Sequence, residues 1–138
     1  MKKKLLIVIL ILAIGSGIFV YLQWNKPHRD PEKEKGLAVS AEQLFNDYEQ
    51  NETTANGQYL NKTLEISGIV IDKGQNQEGT PTLMLEAGRP MSGVQLTFNI
   101  KFKDKLADLN VGDKIVAKGI CTGFLTDVII TDAVLLEK

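Results

Sequence analysis

Few residues in this chain are of types that do chemistry, and they are scattered. Cys121 is the single cysteine and His28 the single histidine, so an intramolecular disulfide, a multi-cysteine metal site and a His-dependent catalytic arrangement all lack their parts. No metal and no other cofactor is expected. Asp127 and Asp132 lack the ligand-dense loop that the roughly six to eight oxygens around a calcium ion require. Cys121, between Ile120 and Thr122, reads as a packed thiol that behaves like a small apolar side chain. Glu52 falls on an apolar helical stripe between Tyr48 and Ala55. A carboxylate there is expected to be buried against Lys62, or to hold the first-turn amides of a second helix. No nucleophile or second acid stands beside it, so catalytic residues are not expected. Asn51-Glu52-Thr53 and Asn61-Lys62-Thr63 match the N-glycosylation pattern, which has meaning only in a eukaryotic secretory pathway.

With catalysis set aside, recognition remains, and the place to look for it is Gly93 to Lys103, GVQLTFNIKFK. Val94, Leu96, Phe98, Ile100 and Phe102 fall on one face of an extended chain, and Gln95, Thr97, Asn99 and Lys101 on the other. The polar set, with Arg89 in the preceding loop, forms the candidate ligand face. Both phenylalanines point inward by parity. The outward face therefore offers no ring on which a nucleic-acid base could stack.

The elements that would position this face follow in order. Ser40 and Gln43 have capping-box spacing, so a helix is expected from Ala41. It breaks near Asn51 and resumes to Tyr59, giving a helical segment over residues 41–60. Strands are expected at Leu64 to Asp72, Thr82 to Ala87, Gly93 to Lys103, Lys114 to Cys121 and Asp127 to Leu136. Lys103 to Leu109 forms one or two helical turns, and Lys73 to Pro81 is a loop with a flexible tip. Three strands, a helix and two strands is the order of the five-stranded Greek-key barrel called the OB-fold. Gly68 and Gly119, each inside a strand, suit a small barrel that must bend to close. The fold class is thus mainly β with a helical segment in front.

Ahead of this domain, residues 1–4 form a basic tip. Leu5 to Leu22 then run without a charge for ~27 Å as a helix, close to the thickness of a bilayer core. With Tyr21 and Trp24 at its end, the segment 5–24 reads as a transmembrane signal-anchor helix. A cleaved signal peptide ending near Ala13-Ile14-Gly15 is the alternative. Lys2, Lys3 and Lys4 favour a cytoplasmic N-terminus and place the domain outside the cytoplasm, although Lys26, Arg29, Lys33 and Lys35 follow the other end. Residues 25–36, NKPHRDPEKEKG, read as a solvated polar linker, and 37–138 as the folded domain. Residues 1–36 carry seven Lys/Arg against three Asp/Glu, and the remaining 102 carry nine against fourteen, so the domain is net −5. That balance disfavours nucleic acid.

Tyr48, Asn51, Glu52, Ala55, Tyr59, Leu60, Lys62, Gly68 and Val70, followed by Gly112-Asp113, Gly119, Cys121, Gly123 and Asp127-Val128, resemble the tRNA anti-like family. These are small bacterial OB-fold proteins that often carry an N-terminal signal or membrane segment. The resemblance spans about Val39 to Leu135. It implies the fold and marks Asn51, Glu52, Tyr59, Lys62, Cys121 and Asp127 as motif positions, with no catalytic set to carry over. The expected function is a membrane-anchored, extracytoplasmic binding module without catalytic activity, recognising a protein or an oligosaccharide. A single-stranded nucleic-acid or tRNA-like binder is the alternative, and an uncharacterised enzyme the third reading.

Overall fold

A computed structural model describes residues 1–25 and 29–138; Lys26 and His28 lie outside the described residues. α1 (Lys2–Trp24) is one uninterrupted helix, long and apolar enough to cross a membrane, and its apolar side chains contact nothing else in the chain. β1 (Leu37–Ser40) follows, then α2 (Ala41–Gln50) and α3 (Glu52–Tyr59). Ser40 Oγ accepts from Gln43 N and Asn51 Oδ1 from Thr54 N, so each helix starts on the cap its sequence supplies.

Five further strands make the barrel: β2 (Thr63–Gln75), β3 (Pro81–Arg89), β4 (Ser92–Phe98), β5 (Lys114–Phe124) and β6 (Val128–Glu137). They pair in the order β2-β3-β4-β6-β5, and β5 pairs back onto β2 to close the sheet. All of these pairings are antiparallel except β4 with β6, which is parallel. β2 does double service: Thr63 to Ile69 pair with β5, and Val70 to Gln75 pair with β3. This is OB-type topology. Side chains from all five strands meet inside, among them Leu64, Ile66, Leu85, Val94, Leu96, Phe98, Ile115 and Ile130, all under 2% exposed. Each such burial is worth about 1.5–3 kcal/mol. α2 packs against β2, β3, β4 and β6 and adds Ala41, Leu44, Phe45 and Tyr48 to the core.

The structure corrects the expected elements at three points. The central strand stops at Phe98, not Lys103. Asn99 Oδ1 accepts from Lys101 N and starts a 3-10 turn over Ile100–Phe102, which runs into α4 (Lys103–Ala107). Alternation therefore fails at Ile100, 56% exposed, whereas Phe102 returns to the core by helical geometry. The loop expected from Lys73 to Pro81 shrinks to residues 76–80, where Asn76 Oδ1 accepts from Glu78 N and Thr80 N. β1 was absent from the expected order; it pairs in parallel with Leu64 to Ser67 of β2.

The polar linker is only partly solvated. Arg29 forms a two-pronged ion pair with Glu34 (2.5 and 2.9 Å) and donates to Asn61 O (2.6 Å). Glu34 also accepts from the Thr63 hydroxyl, its backbone carbonyl accepts from Lys118 Nζ, and Pro31 is buried. Residues 29–36 thus lie along the start of β2 as a strap. The hydrogen bonds from Arg29 and Thr63 hold the Glu34 carboxyl down to about 2.

Candidate functional site

The outward side chains of β3, β4 and β6 form one continuous face. Strand pairing sets Asp72, Met84, Gln95 and Ile129 side by side in a row, with Gly74, Thr82 and Thr97 in a parallel row beside it. Met84, Gln95, Ile129, Thr82 and Thr97 are all half-buried, while their strand neighbours Leu83, Leu85, Val94, Leu96 and Ile130 fill the core. Strand periodicity dictates this division. The face carries hydroxyl, amide and thioether groups, with the Asp72 carboxylate at one edge and no lysine, arginine or aromatic ring in either row.

Of the five residues expected to make the ligand face, the structure keeps two together, Gln95 and Thr97. Asn99 and Lys101 leave with the 3-10 turn: Asn99 is its cap, and Lys101 Nζ lies 3.4 Å from Glu32 of the strap and 5.1 Å from the Phe102 ring centroid. Arg89 is paired at 2.6 Å with Glu49 of α2. Met84, Thr82 and Ile129 were missed as members of the face; the alternation of Thr82 to Ala87 and of Val128 to Thr131 carried the signal.

The motif residues serve the fold. Cys121 is fully buried, 3.3 Å from the Tyr48 hydroxyl, and burial raises its thiol above the ordinary range. Burial raises the Tyr48 phenol as well. Tyr59 donates to Asp47 Oδ2 at 2.6 Å, and burial with that hydrogen bond pushes its phenol up to about 12. Asp127 Oδ1 accepts from Gly93 N at 2.8 Å, tying the β3–β4 hairpin to β6. Lys62 Nζ donates to Gly57 O, not to Glu52. Glu52 is exposed at the first position of α3, so the expected burial against Lys62 does not occur. The stripe bends at Asn51, whose extended backbone (φ −157°) rotates α3 relative to α2.

A closed five-stranded mixed barrel with a helix packed against it is an OB-type fold, a scaffold compatible with a binding module. The chain belongs to the tRNA_anti-like family, whose model matches residues 1–135. No curated protein sequence matches it. Among solved structures it is similar to a lipoprotein of Klebsiella pneumoniae subsp. pneumoniae MGH 78578 to which nucleic-acid binding has been ascribed. The two share 13% identity at a TM-score of 0.58, over 72% of this chain and 92% of that one. RecG bound to a three-way DNA junction also matches, at 11% identity and a TM-score of 0.47, over 78% of this chain and 14% of that one. At these identities the likeness is one of fold.

Proposed function

We propose that the protein is a membrane-tethered, non-catalytic binding module that recognises a polypeptide through the β3–β4–β6 face, on the extracytoplasmic side. The observation that carries the reading is the row Asp72, Met84, Gln95, Ile129. A phosphate backbone needs cations to replace its counterions, and bases need rings to stack on. The row supplies neither. It supplies amide and hydroxyl hydrogen bonding beside an adaptable thioether, a surface suited to peptide groups and mixed side chains.

The strap shortens the tether. With residues 29–36 held on the barrel, only residues 25–28 separate the end of α1 from the domain, a reach of ~14 Å at most. The reading therefore keeps the barrel against the membrane surface rather than on a long leash. A photo-reactive benzoylphenylalanine at Thr97, irradiated in intact cells, tests the polypeptide reading. Adducts removed by protease and lost on Gln95→Ala support it; adducts removed by nuclease overturn it. A reporter fused after Lys138 tests sidedness: active alkaline phosphatase fits the extracytoplasmic reading, and fluorescent green fluorescent protein contradicts it.

A further inference from the structure

A cleft of about 490 Å³ lies between α3 and the ends of β5 and β6, lined by Glu52, Asn56, Leu60, Phe124, Leu125 and Ile129, with Thr122 and Gly123 at its base. It shares Ile129 of β6 with the β3–β4–β6 face, but its other lining residues come from α3 and its C-cap, β5 and the turn after β5. The floor is apolar and firmly held: Phe124 stacks on Tyr48 (5.5 Å, 22°) and meets Phe45 edge-on (5.7 Å, 77°). Leu125 stands at the edge, 84% exposed, the most uncovered leucine of the barrel domain. Gly123 adds no side chain, and the space where its Cβ would stand is open.

Two acceptors of the cleft have no donor among the described residues. Glu52 is exposed, and its carboxylate is in no ion pair or hydrogen bond among the described residues. Asn56 Oδ1 is enclosed in the wall and accepts no hydrogen bond from the described residues. A buried acceptor left in that state costs about 1–3 kcal/mol. Thr122 offers no free donor, because its hydroxyl already donates to Ile129 O at 3.2 Å. No cation lines the cleft. A phosphate or other anion would meet the Glu52 carboxylate there with no cation to offset it.

We infer that this cleft is a second binding site, which takes a basic side chain of a polypeptide, an arginine or lysine beside an aliphatic residue. The cationic head sits at the exposed Glu52 carboxylate. Its methylene stem lies over Phe124, as long basic side chains do on apolar ground, and an arginine head also gains from the ring face. The neighbouring aliphatic side chain covers Leu125. The net −5 of residues 37–138 favours approach of a basic segment. The groups that would hold the basic side chain, Glu52, Phe124 and Leu125, lie outside the β3–β4–β6 face, so the site survives even if that face proves inert.

The test uses the full chain in phosphatidylcholine nanodiscs and two probes, acetyl-Leu-Arg-Leu-amide and the same peptide with neutral citrulline in place of arginine. Saturation-transfer NMR is suited to weak ligands of a large particle. The arginine peptide is expected to bind ~5-fold more tightly than its citrulline twin. Glu52→Gln should abolish that difference, Leu125→Ser should weaken both peptides without shifting Tm, and Glu78→Gln, exposed in the turn between β2 and β3, should change neither. Equal binding of the two peptides, indifference to Glu52→Gln and Leu125→Ser, or no binding of either overturns the proposal. So does displacement of the arginine peptide on exchanging the nanodisc lipid for phosphatidylethanolamine, which would make a lipid amine the occupant.

Discussion

Gly93 and Gly119 show how tightly the barrel is drawn. A Cβ at Gly119 would stand 2.5 Å from Ile130 Cγ2 and 3.0 Å from Thr131 O, and one at Gly93 would stand 2.1 Å from Leu85 O. Gly119→Ala should therefore destabilise the domain by about 1–3 kcal/mol in urea unfolding, and Gly93→Ala by more, because backbone cannot give way as a side-chain end can. Cys121 is the other residue with a sharp expectation. Its thiol is buried and raised by desolvation, so alkylating reagents should label it only at the rate of global unfolding. Cys121→Ala removes the partner of the Tyr48 hydroxyl and should cost about 2 kcal/mol. The packed thiol was legible from its neighbours in sequence, whereas its partnership with Tyr48, 73 residues away, was not. Glu52 shows the opposite case. Helical spacing placed it on the buried stripe, and only the change of direction at Asn51, a tertiary matter, turns it to solvent.

The strap is where the elements depart furthest from expectation. A run with two prolines and alternating charges reads as solvated linker, since nothing local reveals that Arg29 and Glu34 close on each other over Thr63 and Asn61. Glu34 is held at about 2, below its ordinary value of 4.5. A depressed carboxyl contributes its stabilisation above the ordinary value and loses it as pH falls through the folded value. The strap should therefore stay docked at neutral pH and release between about pH 4.5 and pH 2. Glu34→Gln mimics release at neutral pH: trypsin should then cut after Arg29, Lys33 and Lys35 several-fold faster than in the native chain. Equal cutting rates would show that the ion pair does not hold the strap. The barrel strands were more legible, because Val94, Leu96 and Phe98 alternate strictly with Gln95 and Thr97. That alternation overran at Ile100 because Asn99, a residue that caps turns, begins a 3-10 turn within what reads as strand.

At the scale of the molecule, the chain is one apolar helix followed by one acidic barrel domain. Its fold is shared with a lipoprotein to which nucleic-acid binding has been ascribed, but the two outward rows on β3, β4 and β6 lack the cations and rings that such ligands require. Recognition of polypeptide by that face is the claim on which the functional account turns. Fluorescence anisotropy of labelled single-stranded DNA and RNA with the full chain in phosphatidylcholine nanodiscs, across a salt series, examines it most directly. The account predicts no saturable binding even at the lowest salt, and no change on replacing Gln95 and Thr97 by alanine. Saturable, salt-sensitive binding that those replacements weaken would contradict it.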